Sequence, residues 1–221
     1  MPLNPTGPVY ADRGVFVCFE GGDGAGKSTQ SRRLAQWLGS QGYAARLTFE
    51  PGDTRAGADL RRIVLSPETG DLADRTEALI YAADKAEHVE TVVLPALARG
   101  EVVITDRYVD STLAYQGAGR TLDVAEVEAV ARWATGDLRP HLTVVLDLEP
   151  AAALGRFEER DRIEGESLEF HQRVRQAFLD MAAADADHYL VLDARADVDD
   201  IAAAVRAAVE PLLRRAARDS G

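Results

Sequence analysis

The sequence predicts a single α/β domain built around a parallel sheet of five strands, with helices on both faces of the sheet. Short β-rich runs alternate along the chain with longer helical patterns, as expected of βαβ units. Most of the short runs are continuously apolar, which is typical of parallel strands covered on both faces. The 221 residues, of which 46% are hydrophobic, are enough for one domain with a full core.

Five candidate strands divide the chain. They are 14–20 (GVFVCFE), 43–49 (YAARLTF), 101–106 (EVVITD), 142–148 (LTVVLDL) and 188–194 (HYLVLDA). Between them, apolar residues recur at helical spacing, most clearly over 82–96 and again over 198–212. We therefore expect a flexible leader over residues 1–13, the domain over 14–214 and a frayed tail over 215–221.

Charge and composition exclude several classes of function. The net charge of −12 argues against nucleic acid as a partner, because such a face needs Lys and Arg to replace phosphate counterions. No apolar run approaches the roughly 18 residues that span a membrane. The single cysteine, Cys18, lies in an apolar run and predicts a buried thiol. We expect a cytoplasmic protein in which any anionic small substrate needs a local basic site.

A glycine-rich stretch after the first strand, FEGGDGAGKSTQ (19–30), satisfies the pattern G-x-x-x-x-G-K-[ST] and predicts a P-loop NTPase fold. Glycines allow the backbone to curl so that successive N–H groups point at phosphate oxygens. Lys27 would reach the β- and γ-phosphates, and the Ser28 hydroxyl would bind Mg²⁺. The predicted ATP-binding residues are Gly21, Gly22, Asp23, Gly24, Ala25, Gly26, Lys27, Ser28 and Thr29.

A second polar cluster follows the strand at 101–106, where the chain reads DRYVDSTLAYQGAGR. Ligands of open α/β sheets bind at the carboxyl ends of the strands. Asp106 could hold Mg²⁺ through water, and Arg107 could clamp a phosphate. Ser111 and Tyr115 are four residues apart and share a helical face. These residues leave one alternative open, namely a surface Asp–Arg pair followed by an amphipathic surface helix.

These motifs together resemble the thymidylate kinase family of P-loop nucleoside monophosphate kinases, from about Val15 to Leu213. The similar segments are the P-loop, EPGDT (50–54), LIYAADKAEHVE (79–90), DRYVDSTLAYQG (106–117) and DRIEGESLEFHQRVRQAF (161–178). The resemblance implies transfer of the γ-phosphoryl group of MgATP to dTMP, giving dTDP, by a homodimeric enzyme.

The resemblance also implies roles for the residues at matching positions. Asp23 would bond the 3′-hydroxyl of the deoxyribose, Arg107 would bind the dTMP phosphate, and Tyr115 would select a 2′-deoxy sugar. Tyr81 would stack on thymine unless it only packs in the core. The substrate-binding set is Asp23, Glu50, Pro51, Tyr81, Lys85, Arg107, Ser111, Tyr115 and Gln116.

Catalytic cations are expected from the P-loop, from the second polar cluster and from a short helical lid at about 155–166. Some family members carry an arginine in the P-loop where this chain has Gly24. The transferring phosphoryl group needs a cation close by. We therefore expect Lys27 and Arg107 to be joined in catalysis by lid arginines, in the order Arg160, Arg156, Arg162. A plain solvated charge run is the alternative for this segment.

Three residues depart from the family pattern. Lys85 replaces an arginine that bonds the thymine carbonyl, and it lacks the planar fork of arginine. Phe49 replaces an arginine before the EPG loop, for which Arg55 or Arg61 could substitute. Asp53 replaces the second glycine of that loop. They leave open a kinase for another pyrimidine deoxynucleoside monophosphate such as dUMP, or a nucleotide-binding regulator without turnover.

The four histidines, His88, His141, His171 and His188, show neither metal-ligand spacing nor a nucleophilic partner. We expect them at the surface or in packing roles.

Overall fold

A computed structural model describes residues 8–120, 122–153 and 161–219. It contains the predicted five-stranded sheet, in the order β2-β3-β1-β4-β5, with all neighbouring strands parallel. The strands are β1 (Val15–Glu20), β2 (Ala45–Phe49), β3 (Val102–Asp106), β4 (Leu142–Asp147) and β5 (Tyr189–Asp193). Each strand lies within its predicted range, so the predicted α/β fold is confirmed.

Helices connect the strands and cover the sheet. They are α1 (Lys27–Ser40), α2 (Arg55–Leu65), α3 (Asp74–His88), α4 (Leu94–Ala98), α5 (Val109–Thr112), α6 (Val124–Thr135), α7 (Pro150–Ala153), α8 (Leu168–Ala184) and α9 (Val198–Asp219). A 3₁₀ turn (Pro67–Thr69) and two π-helical segments (Val89–Val93 and Leu113–Gly119) complete the regular structure of the described ranges. None of these helices combines the length and hydrophobicity needed to cross a membrane.

The hydrophobic core forms one layer on each face of the sheet. Alternate side chains of a strand point to opposite faces, so Val17 packs with Leu38 of α1 and Val205 of α9. Phe16, one residue earlier, packs on the other face with Val93 of the first π-helical segment. Both faces of the central strands are therefore buried, which explains why they read as unbroken apolar runs.

Some residues of the predicted leader and tail lie within the described ranges and take part in the fold. In the predicted flexible leader, Val9 pairs with the backbone around Leu138, since its N–H donates to Asp137 O at 3.0 Å. Tyr10 stacks on His188 with ring centroids 4.8 Å apart. Helix α9 runs through most of the tail that was expected to fray. Val9 and Tyr10 are thus held by contacts with distant residues that no local pattern reveals.

Two other predicted segments also differ in their local conformation. The stretch after Arg107 is helical as expected, but it changes from α to π at Leu113. Of the predicted helical lid at 155–166, residues 155–160 lie outside the described ranges, and 161–166 form turns rather than a helix. A bond from the Ile163 N–H to Asp161 Oδ1, 2.8 Å long, stabilises this turn.

The contact between α2 and α3 yields a test of packing. A Cβ added at Gly57, in the first turn of α2, would lie 2.4 Å from Asp84 Oδ1 and 2.8 Å from Thr54 Oγ1. We expect Gly57→Ala to lower the free energy of unfolding by about 1–3 kcal/mol, because the crowded atoms must move. The matched control is Gly39→Ala, in α1, where an added methyl meets no atom within 4 Å. Urea unfolding should show the control unchanged or slightly more stable. Equal effects of the two substitutions would contradict this packing.

Candidate active site

The P-loop joins the end of β1 to the start of α1, and its shape depends on glycine. Gly21 has φ = 130°, and a Cβ there would lie 2.4 Å from Leu146 O. Gly26, at the N-cap of α1, has φ = 93°. Only glycine adopts such angles without strain. The loop therefore turns sharply, and its backbone N–H groups lie at the positive end of α1, which favours anions.

Lys27 is the cation at the centre of this loop. Its ammonium donates to Gly21 O at 3.1 Å and to Gly22 O at 2.9 Å, and the residue is only 7% exposed. Burial, followed by the nearby charge of Arg107, lowers the pKa of Lys27. Among the described residues, its hydrogen-bond partners are these neutral carbonyls, so a phosphate would not have to displace a carboxylate.

Ser28 and Asp106 bring together two oxygen ligands from different elements. Ser28 lies in the first turn of α1 and Asp106 ends β3, and Ser28 Oγ donates to Asp106 Oδ2 at 2.5 Å. A hydroxyl and a carboxylate are ligands that Mg²⁺ prefers, usually beside substrate phosphates. The donor set therefore fits the expected Mg²⁺ of a nucleotide complex.

Arg107 occupies the turn directly after β3 in a left-handed conformation, with φ = 73°. Its N–H donates to Phe19 O at 2.9 Å, which holds the turn against β1. The guanidinium bonds Asp23 at 2.5 Å and Ser111 Oγ at 3.0 Å, and its carbon lies 5.0 Å from the centre of the Tyr115 ring. Burial opposes ionisation of Asp23, but Arg107 and then Lys27 outweigh it and lower the pKa of Asp23.

Glu20 holds the segment that follows Arg107, a role that the sequence did not predict. This fully buried carboxylate accepts the N–H groups of Tyr108 (2.8 Å) and Ser111 (3.0 Å) and the Ser111 hydroxyl (2.6 Å). Burial and the charge of Asp110 raise the pKa of Glu20 to about 7, although Arg107 opposes the shift. A charged residue ending an otherwise apolar strand is the signal that could have revealed it.

Two cavities meet at these residues. The larger, of about 540 Å³, is lined by P-loop residues and by the exposed side of β2, and it includes Lys27, Ser28 and Asp106. The smaller, of about 140 Å³, lies between α3 and the residues that follow Arg107. Both cavities are lined by Asp23, Glu50, Arg61, Arg107 and Glu164. If each cavity held a ligand, the two ligands would therefore lie next to each other beside Arg107 and Arg61.

The structure brings the whole predicted substrate-binding set into the smaller cavity. Its lining includes Asp23, Glu50, Pro51, Tyr81, Lys85, Arg107, Ser111, Tyr115 and Gln116. Of the predicted ATP-binding residues, the larger cavity is lined by Asp23, Gly24, Gly26, Lys27, Ser28 and Thr29. Gly21 and Gly22 turn their carbonyls to Lys27 instead, and Ala25 packs into the core below α1.

Two of the three departures from the family pattern belong to one buried polar network. Lys85 Nζ lies 2.8 Å from Glu50 Oε2, and Glu50 Oε1 lies 2.7 Å from His88 Nδ1. The other ring nitrogen of His88 bonds Thr48, whose hydroxyl donates to Asp53 at 2.5 Å. Burial opposes ionisation of Glu50, but Lys85 and His88 outweigh it and lower its pKa.

The network changes the expected roles of two residues. Lys85 forms an ion pair with Glu50 beside the cavity, and its ammonium lies 6.0 Å from the Tyr81 ring centre. His88, for which the sequence left a surface or a packing role, is only 1% exposed and links the EPG loop to α3. Nothing in the spacing of the histidines indicated this hydrogen-bonding role.

Arg61, one of the two expected substitutes for the arginine missing at position 49, lies beside Phe49. Its guanidinium carbon is 5.8 Å from the centre of the Phe49 ring, and it donates to Pro51 O at 2.8 Å. Arg55, the other expected substitute, is an exposed residue at the start of α2 and lines neither cavity.

Among the expected lid arginines, only Arg162 lies within the described residues. It donates to Val64 O at 2.9 Å and to Glu77, and it lines neither cavity. In this conformation Arg162 is therefore held away from the P-loop. Arg156 and Arg160 lie outside the described ranges.

Glu20 predicts how stability depends on pH. Its pKa is about 7 in the folded protein, against an ordinary value of 4.5. The folded state therefore binds the Glu20 proton more tightly than the unfolded state does. The resulting contribution to the free energy of unfolding is full below pH 4.5 and is lost as the pH rises through 7. From pH 4.5 to 7.5, the free energy of unfolding should fall by on the order of 3 kcal/mol more in the wild-type protein than in Glu20→Gln. Urea titrations across this range measure it, and parallel profiles for the two proteins would contradict the assignment.

Comparison with known proteins agrees with this geometry. A family model described as thymidylate kinase matches residues 19–205. A thymidylate kinase of Cutibacterium acnes is 55% identical over 202 residues, covering 91% of this chain and 99% of the relative. One of Clavibacter michiganensis is 52% identical over 204 residues, covering 90% and 96%.

A solved structure extends the similarity to the fold. The crystal structure of a thymidylate kinase from Ehrlichia chaffeensis has a TM-score of 0.69 and 31% sequence identity, covering 81% of this chain and 93% of its own. The matched family model spans both the P-loop and the segment after β3, which together form the site. The chain therefore belongs to the thymidylate kinase family.

Proposed function

We propose that this protein transfers the γ-phosphoryl group of ATP to the 5′-phosphate of dTMP, giving dTDP and ADP. The observation that carries the proposal is the meeting of two cavities at Arg107. One cavity is lined by the P-loop and the other by the nucleoside-binding set. Phosphoryl transfer requires a donor and an acceptor phosphate in line and close together.

The larger cavity takes the donor. Lys27 reaches the β- and γ-phosphates, and the N–H groups at the start of α1 bind phosphate oxygens. Ser28 and Asp106 would hold Mg²⁺, which would supply positive charge to neutralise the phosphates during transfer. Their mutual hydrogen bond keeps both oxygens turned toward the cavity.

The smaller cavity takes the acceptor nucleotide. Arg107 binds the dTMP phosphate, which can replace part of its present contact with Asp23. Asp23 then accepts from the 3′-hydroxyl, and the Tyr115 ring blocks a ribose 2′-hydroxyl. Tyr81 stacks on the base, and Gln116 and Lys85 face its polar edge.

The chemistry depends on positioning and charge rather than on proton removal. The acceptor is already an anionic phosphate, so no strong general base is needed. Lys27 and Arg107 stabilise charge on the transferring group from opposite sides. Arg61, which lines both cavities, adds a cation where the family pattern has lost one. Arg156 and Arg160 of the lid remain the expected further cations, and Arg162 would have to leave Glu77 to join them.

Turnover of a nucleotide panel tests the proposal. ADP release should be fastest with dTMP, slower with dUMP and slowest with ribonucleotides, because one methyl contact contributes only about 1–3 kcal/mol. Lys27→Ala should lower kcat by about a thousandfold or more while the unfolding curve stays near that of the wild-type protein. Arg33→Ala, which removes an exposed cation of the same helix, is the matched control and should keep normal turnover.

The panel also separates the alternatives. A wild-type protein that prefers dUMP or dCMP would move the assignment to another pyrimidine nucleotide. Binding of ATP with no turnover of any nucleotide would identify a regulator. Near-normal turnover by folded Lys27→Ala would contradict the proposed donor site.

We also propose that the enzyme is a cytoplasmic homodimer that associates through the surface formed by α3 and α6. Leu79 on α3 is 58% exposed, and Val124 at the start of α6 is 47% exposed. Arg75 of α3 and Glu126 of α6 lie 3.9 Å apart and link the two helices. Exposed large apolar side chains on one surface are typical of interfaces.

Light scattering after size exclusion tests the dimer. The wild-type protein should have twice the chain mass of 23.9 kDa, and Leu79→Glu should have that mass once, because a charge would be buried against the partner. Leu94→Glu, at an exposed apolar residue of α4, should remain dimeric. A monomeric wild-type protein, or a dimeric and folded Leu79→Glu protein, would contradict this interface.

A further inference from the structure

Glu77 is a buried carboxylate beside the smaller cavity, and the mechanism above gives it no role. It lies on α3 and is only 1% exposed. It accepts from Gln116 Nε2 at 2.9 Å, from Arg120 at 3.0 and 3.2 Å, and from Arg162. Burial opposes its ionisation, but the hydrogen bonds from Arg120, then Gln116 and Arg162, outweigh burial and lower its pKa.

An ionised carboxylate can only accept hydrogen bonds. The Gln116 amide, which has a donor end and an acceptor end, must therefore turn its NH₂ group toward Glu77. Its carbonyl oxygen Oε1 then points away from Glu77. Gln116 lines the smaller cavity, so Oε1 can accept a hydrogen bond from a ligand that is bound there.

Pyrimidine bases differ at the atom that can meet this oxygen. Thymine and uracil carry a hydrogen on N3, whereas cytosine presents a lone pair there. An N3–H group can donate to Oε1, but the lone pair of cytosine would face it and leave both acceptors unpaired. The orientation of one amide thus separates two classes of base.

We propose that Glu77 is a positioning residue that sets base selectivity. By fixing the orientation of the Gln116 amide, it makes the cavity accept pyrimidines that carry N3–H and reject cytosine. This inference rests on the proposed function, since it requires a pyrimidine nucleotide in the smaller cavity. Arg120, which also bonds Glu166 at 2.5 Å, and Arg162 supply the charge that keeps the buried carboxylate ionised.

The decisive variant is Glu77→Gln, because a neutral amide can donate as well as accept and no longer dictates the orientation of Gln116. The measurement is kcat/KM for dTMP, dUMP and dCMP. The preference for dTMP over dCMP should fall at least about tenfold, since a cytosine partner becomes possible. The preference for dTMP over dUMP should not change, because these bases differ only in a methyl group that Glu77 does not influence.

Two further variants separate orientation from general stability. Glu77→Asp keeps an acceptor-only group and should retain most of the selectivity against dCMP. Arg120→Lys weakens an arginine contact but leaves the carboxylate, so its dTMP-to-dCMP ratio should stay near that of the wild-type protein. A folded Glu77→Gln protein with unchanged selectivity would overturn the proposal, as would equal loss of selectivity in all three variants.

A measurement on the wild-type protein covers the case in which Glu77→Gln does not fold. The side-chain NH₂ resonance of Gln116, assigned by its loss in Gln116→Met, should be protected from solvent exchange and remain so when dTMP binds. Rapid exchange, or loss of protection with dTMP, would overturn the proposal. A wild-type protein that phosphorylates no pyrimidine nucleotide but keeps this protected resonance would refute the proposed function and leave the Glu77–Gln116 bond standing.

Discussion

The ion pair between Arg107, at the end of β3, and Asp23 is the interaction on which the rest of the site depends. In its left-handed turn, Arg107 is held by its N–H bond to β1 and by its ion pair with Asp23. The parallel register of the two strands, which pairs Phe19 with Asp106, brings these groups to one edge of the sheet. Glu20 fixes the following helix at Ser111. The P-loop and the acceptor pocket are therefore parts of one hydrogen-bonded structure.

An acidic protein builds a site for two anionic nucleotides by pairing buried and half-buried charges. Arg107 pairs with Asp23, Lys85 with Glu50, and Arg120 with Glu77. Burying such pairs gains little stability, because desolvation offsets their attraction, but removing one partner leaves a costly unpaired charge. These pairs contribute more to the orientation of the side chains than to the stability of the fold. Lys27, whose partners are carbonyls, differs from them and is the cation most ready for a phosphate.

The departures from the family pattern have a common physical account. Asp53 and Lys85 lie at opposite ends of the network that runs through Thr48, His88 and Glu50. Each group in it has a partner of complementary character, which a buried polar network requires. The third departure, Phe49, provides an aromatic face for Arg61. Arg61 of α2 thereby supplies a positive charge beside the position where the family pattern has an arginine and this chain has Phe49.

The resemblance to the thymidylate kinase family supplied most of the expected substrate-binding set. From its own patterns, the sequence determined the sheet, the P-loop and the polar cluster after β3. Each leaves a local signature: unbroken apolar runs for doubly covered strands, glycines where φ is positive, and polar residues directly after strands. Short-range rules suffice because these features depend on residues a few positions apart.

Only the tertiary structure decided which distant side chains meet. Glu20 binds Ser111, Glu77 binds Gln116 and Arg162, and His88 binds Thr48, each across tens of residues. These pairings depend on strand order and on how α3 packs beside the chain after β3, and no residue spacing encodes either. The same reason explains why Val9 pairs with the backbone near Leu138 and why Arg162, expected over ATP, lies against Glu77.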